Sequence, residues 1–296
     1  MKLSKLSFGA LLLSALTLSS CSDDSFTSSH DDYATLRLSL AADDTVETGE
    51  FTRAGESQSI ATALNDSSFT PPVAENFTIE IKNKSTQEKI YDGLLSAYNT
   101  AAELKFGTYT VTATYDNETV GFYSSTSNPA VFEGETEFTV SEKKTYEVAI
   151  PVTLQNCILK VAYTDLFKAY YKDYSVTVDG TTDIVFSSTE DRGAFVTPGN
   201  SVKISYTCTP TQAQGANNKA ITKEATLNLE GGKSYVLTFD VKDLGGVAGF
   251  TVTINDTVVD ALNGDSDNDG KADGDVDINQ DDYIDDDESD DDQSNA

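Results

Sequence analysis

Apolar and polar residues alternate along most of the chain between Tyr33 and Asp260. Leu36, Leu38 and Leu40 fall on one face, as do Phe77, Ile79 and Ile81, and then Tyr109, Val111, Ala113 and Tyr115. The pattern returns in Tyr146, Val148, Ile150, Val152 and Leu154, and again in Leu159, Val161 and Tyr163. A period of two sets one row of side chains on a core and the other in water. That is the mark of half-buried strands, and Thr, Val and Tyr suit them. "NLEGGKSYVLTFDV" predicts a hairpin, with Gly231-Gly232 turning between Leu229 and Tyr235. One stretch breaks the period. "TDLFKAYYKDY" carries Leu166, Phe167, Tyr170, Tyr171 and Tyr174 as an apolar stripe behind a Thr164/Asp165 cap, and predicts a short helix.

From Tyr146 to Leu154 the even-numbered residues turn inward; after Asn156 the odd-numbered ones do. Such a change of parity needs a bulge, a turn or a change of sheet, and it places a domain junction there. The expected fold is all-β: two tandem Ig-like β-sandwich domains, residues 33–155 and 156–263, with one short helix. A single large sandwich is the alternative. Cys157 shares the inward parity of Leu159, and Cys208 that of Val202, Ile204 and Tyr206. A disulfide between them and two free buried thiols are both open.

Composition supports folded cores and narrows the partners. The chain has 296 residues, 38% of them hydrophobic and 9% aromatic, so it is not disordered as a whole. Its formal net charge is −29, and from Asp265 onward fifteen Asp or Glu face a single Lys. Phosphate backbones and anionic headgroups would repel such a surface, which argues against nucleic acid and suits divalent cations. There is one histidine, His30, no Trp, and no Met beyond Met1.

The first twenty residues, "MKLSKLSFGALLLSALTLSS", carry Lys2 and Lys5 ahead of an apolar run through Leu18. This reads as a secretory signal, too short to span a membrane. Leu18-Ser19-Ser20-Cys21 resembles the bacterial lipobox, in which the cysteine sulfur takes a diacylglycerol. Ser22-Asp23-Asp24 resembles the acidic export tag of Bacteroidota surface lipoproteins. The resemblance implies a protein held at the outer membrane by lipid on Cys21, and residues 21–32, with His30, read as the tether.

"YATLRLSL", "FTRAGES", "FGTYTVTATY", "NPAVFEGETEFTV" and "LQNCILKVAYTDLFKAYYKDYSVTV" resemble an uncharacterised family of Bacteroidales surface lipoproteins allied to the fimbrillins. The resemblance covers most of residues 33–260 and implies tandem transthyretin-like sandwiches. Fimbrillins are trimmed after an Arg that follows their first strand, which frees a groove for a neighbour's donor strand; Arg53 matches that position. An added strand satisfies an open sheet edge and fills an apolar groove.

The tail, residues 264–296, is the one candidate for chemistry. Calcium takes six to eight oxygens from a loop able to wrap it. In Asp277–Glu288, residues Asp277, Asn279, Asp281, the Tyr283 carbonyl, Asp285 and Glu288 occupy the ligand positions of a twelve-residue calcium loop. Asp282 stands where such loops carry Gly. The preceding stretch offers Asp265, Asp267, Asp269 and Asp273 with a turn at Gly270, but ends on Val276 rather than Glu. The two resemble thrombospondin type-3 and EF-hand-like loops, and imply structural calcium. A solvated acidic tail is the alternative reading. Thr45 and Thr257, each in Asp-Thr-Val, resemble the O-glycosylation site of Bacteroidota.

No catalytic group stands out. One His in a tether serves no triad, and no nucleophile elbow or zincin motif occurs. The expectation is a non-enzymatic surface lipoprotein with a structural or adhesive role, partnered by the outer membrane and by other fimbrial or surface proteins or glycans. A glycan-binding protein without catalysis is the alternative, and the absence of Trp weighs against it.

Overall fold

The computed structural model describes residues 33–49, 57–116, 120–180, 182–211, 219–243 and 247–255, with the pairs 257–258, 266–267, 271–272 and 276–277. Each alternating stretch forms a strand. The first group is β1 (Tyr33–Ala42), β2 (Thr45–Thr48), β3 (Ser57–Ser59), β4 (Thr78–Asn83) and β5 (Lys89–Leu94). Then come β6 (Glu103–Lys105), β7 (Gly107–Tyr115), β8 (Gly121–Phe122), β9 (Phe132–Val140) and β10 (Thr145–Leu154). They are followed by β11 (Cys157–Tyr163), β12 (Tyr171–Val178), β13 (Ile184–Ser187), β14 (Ala194–Val196) and β15 (Gly199–Pro210). The last long strands are β16 (Ile221–Leu229), β17 (Lys233–Asp243) and β18 (Val247–Ile254). Four two-residue strands close the series: β19 (Thr257–Val258), β20 (Ser266–Asp267), β21 (Lys271–Ala272) and β22 (Val276–Asp277).

The first sandwich is one seven-stranded sheet, β5-β4-β7-β9-β10-β1-β6, folded over where β9 gives way to β10. These two strands pair only at Thr153↔Glu133 and Leu154↔Phe132. A glycine marks the fold: a Cβ on Gly134 would sit 2.0 Å from the Pro151 carbonyl oxygen, so only a residue without one lets the strands approach. The inward rows read from the sequence, including Leu36, Ile79, Ile81, Val111, Val148 and Ile150, meet in its core.

The second sandwich sets β13-β12-β15-β16 against a sheet whose main path is β19-β18-β17-β11-β14-β8. Leu159 and Val161, beside Leu237 and Phe239 of the same sheet, face Val176, Ile204 and Leu227 across the second core. The parity change at Asn156 is a change of sheet. Asn156 is buried between β10 and β11, its Oδ1 accepting from the Val131 N–H at 2.6 Å and its carbonyl from the Gly232 N–H at 2.9 Å. Around it Ile158 turns to the first core while Cys157 and Leu159 turn to the second.

Three expectations are corrected. Gly231-Gly232 does not close a hairpin: β16 pairs with β15, and β17 with β11 and β18, so the turn crosses between facing sheets. Gly231 packs on the Gln155 carbonyl, 2.5 Å from where a Cβ would be, and Gly232 has φ +71°. The helix α2 (Asp165–Tyr170) forms behind Thr164, whose hydroxyl accepts from the Phe167 N–H at 3.1 Å, but it ends at Tyr170. Tyr171 already belongs to β12, and Leu166 points to solvent at 49% exposure, so the stripe is not continuous. Asp173, at φ +51°, lies where the β12–β15 register shifts between Lys172 and Ser175. A five-residue helix, α1 (Ile60–Leu64), was not expected; Ser59 caps it and Asn65 ends it in a left-handed conformation.

Cys157 and Cys208 are free, buried thiols rather than a disulfide. Cys157 begins β11 beside Val196 and Tyr235, whereas Cys208 neighbours Tyr163 at the other end of that strand. Six residues of strand separate those ends by about 20 Å, far beyond bridging distance. Burial pushes each thiol up to about 12.

Candidate functional site

The N-terminal strands β1 and β2 clasp both sandwiches. β1 lies parallel to β10, with Leu36 fully buried, and on its other side meets β6 only at Tyr33, Ala34 and Thr35. The chain then leaves the first sandwich. At Asp43 the carboxylate accepts from the N–H and hydroxyl of Thr45, at 2.9 and 2.7 Å, and turns the backbone into β2. β2 joins β17 in parallel at Lys233↔Glu47 and Ser234↔Thr48, beside the end of β18, and carries β3 on its outer edge.

Hydrogen bonds hold this addition at every step. The Glu47 N–H donates to Gly232, and the Gly49 N–H to Ser234, at 3.2 and 2.8 Å. Gln58 Nε2 donates to Ser234 Oγ at 2.9 Å. Asn255, at φ +44°, donates from Nδ2 to the Gly49 carbonyl at 2.7 Å and accepts from the Val236 N–H at 2.8 Å. Gly49 lies against the Tyr235 ring, where a Cβ would come within 2.1 Å.

A second set of contacts locks the sandwiches together. The Gly193 N–H donates to Leu64 at the end of α1 at 2.7 Å, and Asn65 Nδ2 to the Asp191 carbonyl at 3.2 Å. Phe195 of β14 packs into the first core against Phe69, with ring centroids 5.8 Å apart. β8 in turn pairs with β14. Arg192 lies over the Phe122 ring, donates to the Tyr123 carbonyl and grips both oxygens of Glu190 at 2.9 Å. That grip holds the Glu190 carboxyl below its usual range, as Ser68 does for Asp66. Both are thereby held ionised, the opposite of the displacement a general acid needs.

Two clefts open nearby. One of about 410 Å³ lies where β2 meets the end of β10 and the 231–232 turn, lined by Thr45, Glu47, Leu154 and Lys233. Another of about 470 Å³ lies in the second sandwich, lined by Val178, Ile184, Val196 and Val202 with the ion pair of Lys203 and Asp179. Neither is lined by a His or a Cys. Among the described residues no cluster of three metal-binding side chains occurs.

Of the residues singled out in the sequence, Cys21 and Arg53 lie outside the described residues, as do Asp265, Asp269, Asp273, Asn279, Asp281, Tyr283, Asp285 and Glu288. Asp267 and Asp277 lie on described backbone: β20 pairs with β21, and β22 adds to β18 at Val247↔Asp277. Thr45 is exposed with its hydroxyl committed to Asp43, and Thr257 pairs with Ile254 at the edge of β18. Tyr170, Tyr171 and Tyr174 pack on the second core. The clasp by β2 escaped the sequence reading, because "TVET" carries too few apolar positions to show a period.

The molecule is thus a pair of β-sandwiches clasped by its own N-terminal strands. The sequence profile of the family described as Domain of unknown function (DUF4493) matches residues 32–266, and the chain belongs to that family. No curated protein matches it. Among solved structures it is similar to a fimbrial assembly protein from Parabacteroides distasonis, at 8% identity and TM-score 0.42, over 77% of this chain and 99% of that one. It is also similar to the fimbrial anchor protein Mfa2 from Porphyromonas gingivalis, at 8% identity and TM-score 0.34, over 77% of this chain and 99% of that one.

Proposed function

We propose that this protein is a cell-surface lipoprotein with a structural or adhesive role, held at the outer membrane by lipid on Cys21, and not an enzyme. The observation that carries the reading is one of sequence order: the lipobox-like Cys21 and a short polar stretch directly precede β1, which starts at Tyr33. Among the described residues no helix is long and apolar enough to cross a membrane. In this reading acyl chains on Cys21 supply the attachment. Residues 33–155 and 156–263 form the two domains. Fimbrial or other surface proteins, or glycans, are the partner classes. Cells fed a labelled fatty acid should incorporate it into this chain, and Cys21→Ala should abolish the label and release the protein from the membrane fraction. Label retained by Cys21→Ala, or none in the native chain, overturns the reading.

The acidic tail is the calcium-binding element in this reading, with affinity of about 0.1–1 mM, as for extracellular modules. Supporting it are the alternating Asp residues from Asp265 to Asp269 and the closing Glu288. Calcium titrated into the full chain by calorimetry should give heats that are lost in a chain ending at Gly264. Equal heats from both chains would sink the proposal. Processing after Arg53 would remove Cys21 and is the alternative to a retained lipid anchor: a surface form beginning at Ala54 would identify a polymer subunit rather than a tethered protein. O-glycans on Thr45 and Thr257 would appear as sugar-bearing peptides in the same mass spectra.

A further inference from the structure

The strands that cross from the first sandwich to the second run in one sense. β1 is parallel to β10 over eight register pairs, from Thr35↔Thr145 to Ala42↔Val152. β10 enters β11 through Gln155 and Asn156 alone, and β1 enters β2 through Asp43 and Asp44 alone. β11 and β2 are both parallel to β17. Two covalent runs, β1–β2 and β10–β11, therefore pass the junction side by side, both leading away from Tyr33.

This arrangement decides how the molecule meets tension. Ladder hydrogen bonds lie across the strands, so a pull along β1 against β10 loads all of their pairs together. A pull that parts the strands from one end breaks them singly. We infer that Tyr33–Gly49 is a force-bearing strap, which carries tension entering at Tyr33 and leaving through the second sandwich as shear between β1 and β10. Retention on the other side is slight, since β6 meets β1 at only three residues. The shear pairing with β10 must then bear the load, backed by the bonds of Gly49 and Asn255 to β17. The inference extends the surface-tether reading, in which Tyr33 is the membrane side, but its test needs no membrane, so the two fail separately.

Single full-length molecules carrying Cys21→Ser would be stretched from the N-terminus to a thiol handle at one of two places. Leu166→Cys, exposed just beyond β11, loads β1 and β10 in shear. Lys143→Cys, exposed just before β10 where the Thr35 N–H donates to Lys144, parts the same strands from their shared end. Cys157 and Cys208 are fully buried and do not compete for the handle. If either handle disturbs folding, Ala169→Cys or Ser141→Cys replaces it. The first rupture should need a force roughly threefold higher in the shear arm, because forced unfolding reads the barrier along the pulled direction. Equal first-rupture forces in the two arms overturn the strap.

Discussion

Phe167→Ala should lower the unfolding free energy by about 3–5 kcal/mol, measured by urea denaturation, while Leu166→Ala next to it should change it by less than about 0.5 kcal/mol. Both residues belong to the apolar stripe of "TDLFKAYYKDY", yet α2 is a single turn and a half and can offer only one face. That face is Phe167, fully buried, with ring centroids 4.7 Å from Tyr171, 5.5 Å from Tyr163 and 5.4 Å from Tyr174. Phe239 and Phe250 complete its surroundings, so alanine leaves an aromatic-lined hole that the surrounding strands cannot fill. Equal, small effects from both substitutions would mean that α2 is loosely docked and that the cluster closes without it.

The contrast between these neighbours shows what could be read from the chain and what could not. Period-two rows such as Phe77, Ile79 and Ile81 gave the buried faces of strands directly, because each strand needs only local sequence to orient its pleat. The change of sheet at Asn156 was visible as a change of parity for the same reason. Pairing partners were not visible. "NLEGGKSYVL" has hairpin chemistry, but Gly231 and Gly232 serve close packing on Gln155 and a left-handed turn between facing sheets. Whether two glycines join one sheet or bridge two depends on contacts distant in sequence. The clasp had the same cause: Val46 is the one deeply buried side chain of β2, and its place beside β17 rests on residues near 234 and 255. The two cysteines shared an inward parity, which fixes a face of a strand but not a position along it.

A chain that begins at Ala54 should lose its cooperative thermal transition and bind a hydrophobic dye, and a peptide of residues 33–49 added in trans should restore the transition. Removing β1 and β2 withdraws Leu36 and Val46, each worth about 1.5–3 kcal/mol of burial, together with Ala34 and the partly buried Leu38 and Leu40. It also strips the partner from eight residues of β10 and uncovers Val148, Ile150 and Val152. The second sandwich loses β2, and with it the bonds from Gly49 to Ser234 and from Asn255 to Gly49. Against a net stability of about 5–15 kcal/mol for a domain, such losses are not survivable without replacement. A sharp transition at the native temperature in the shortened chain would show that the first sandwich closes on itself, and would leave the clasp without a structural role. If the transition is lost and the peptide restores it, a surface form trimmed after Arg53 can persist only with an extended strand of the same alternating pattern in the vacated place. The apolar row that strand must present is set by the positions of Ala34, Leu36, Leu38 and Leu40 against β10.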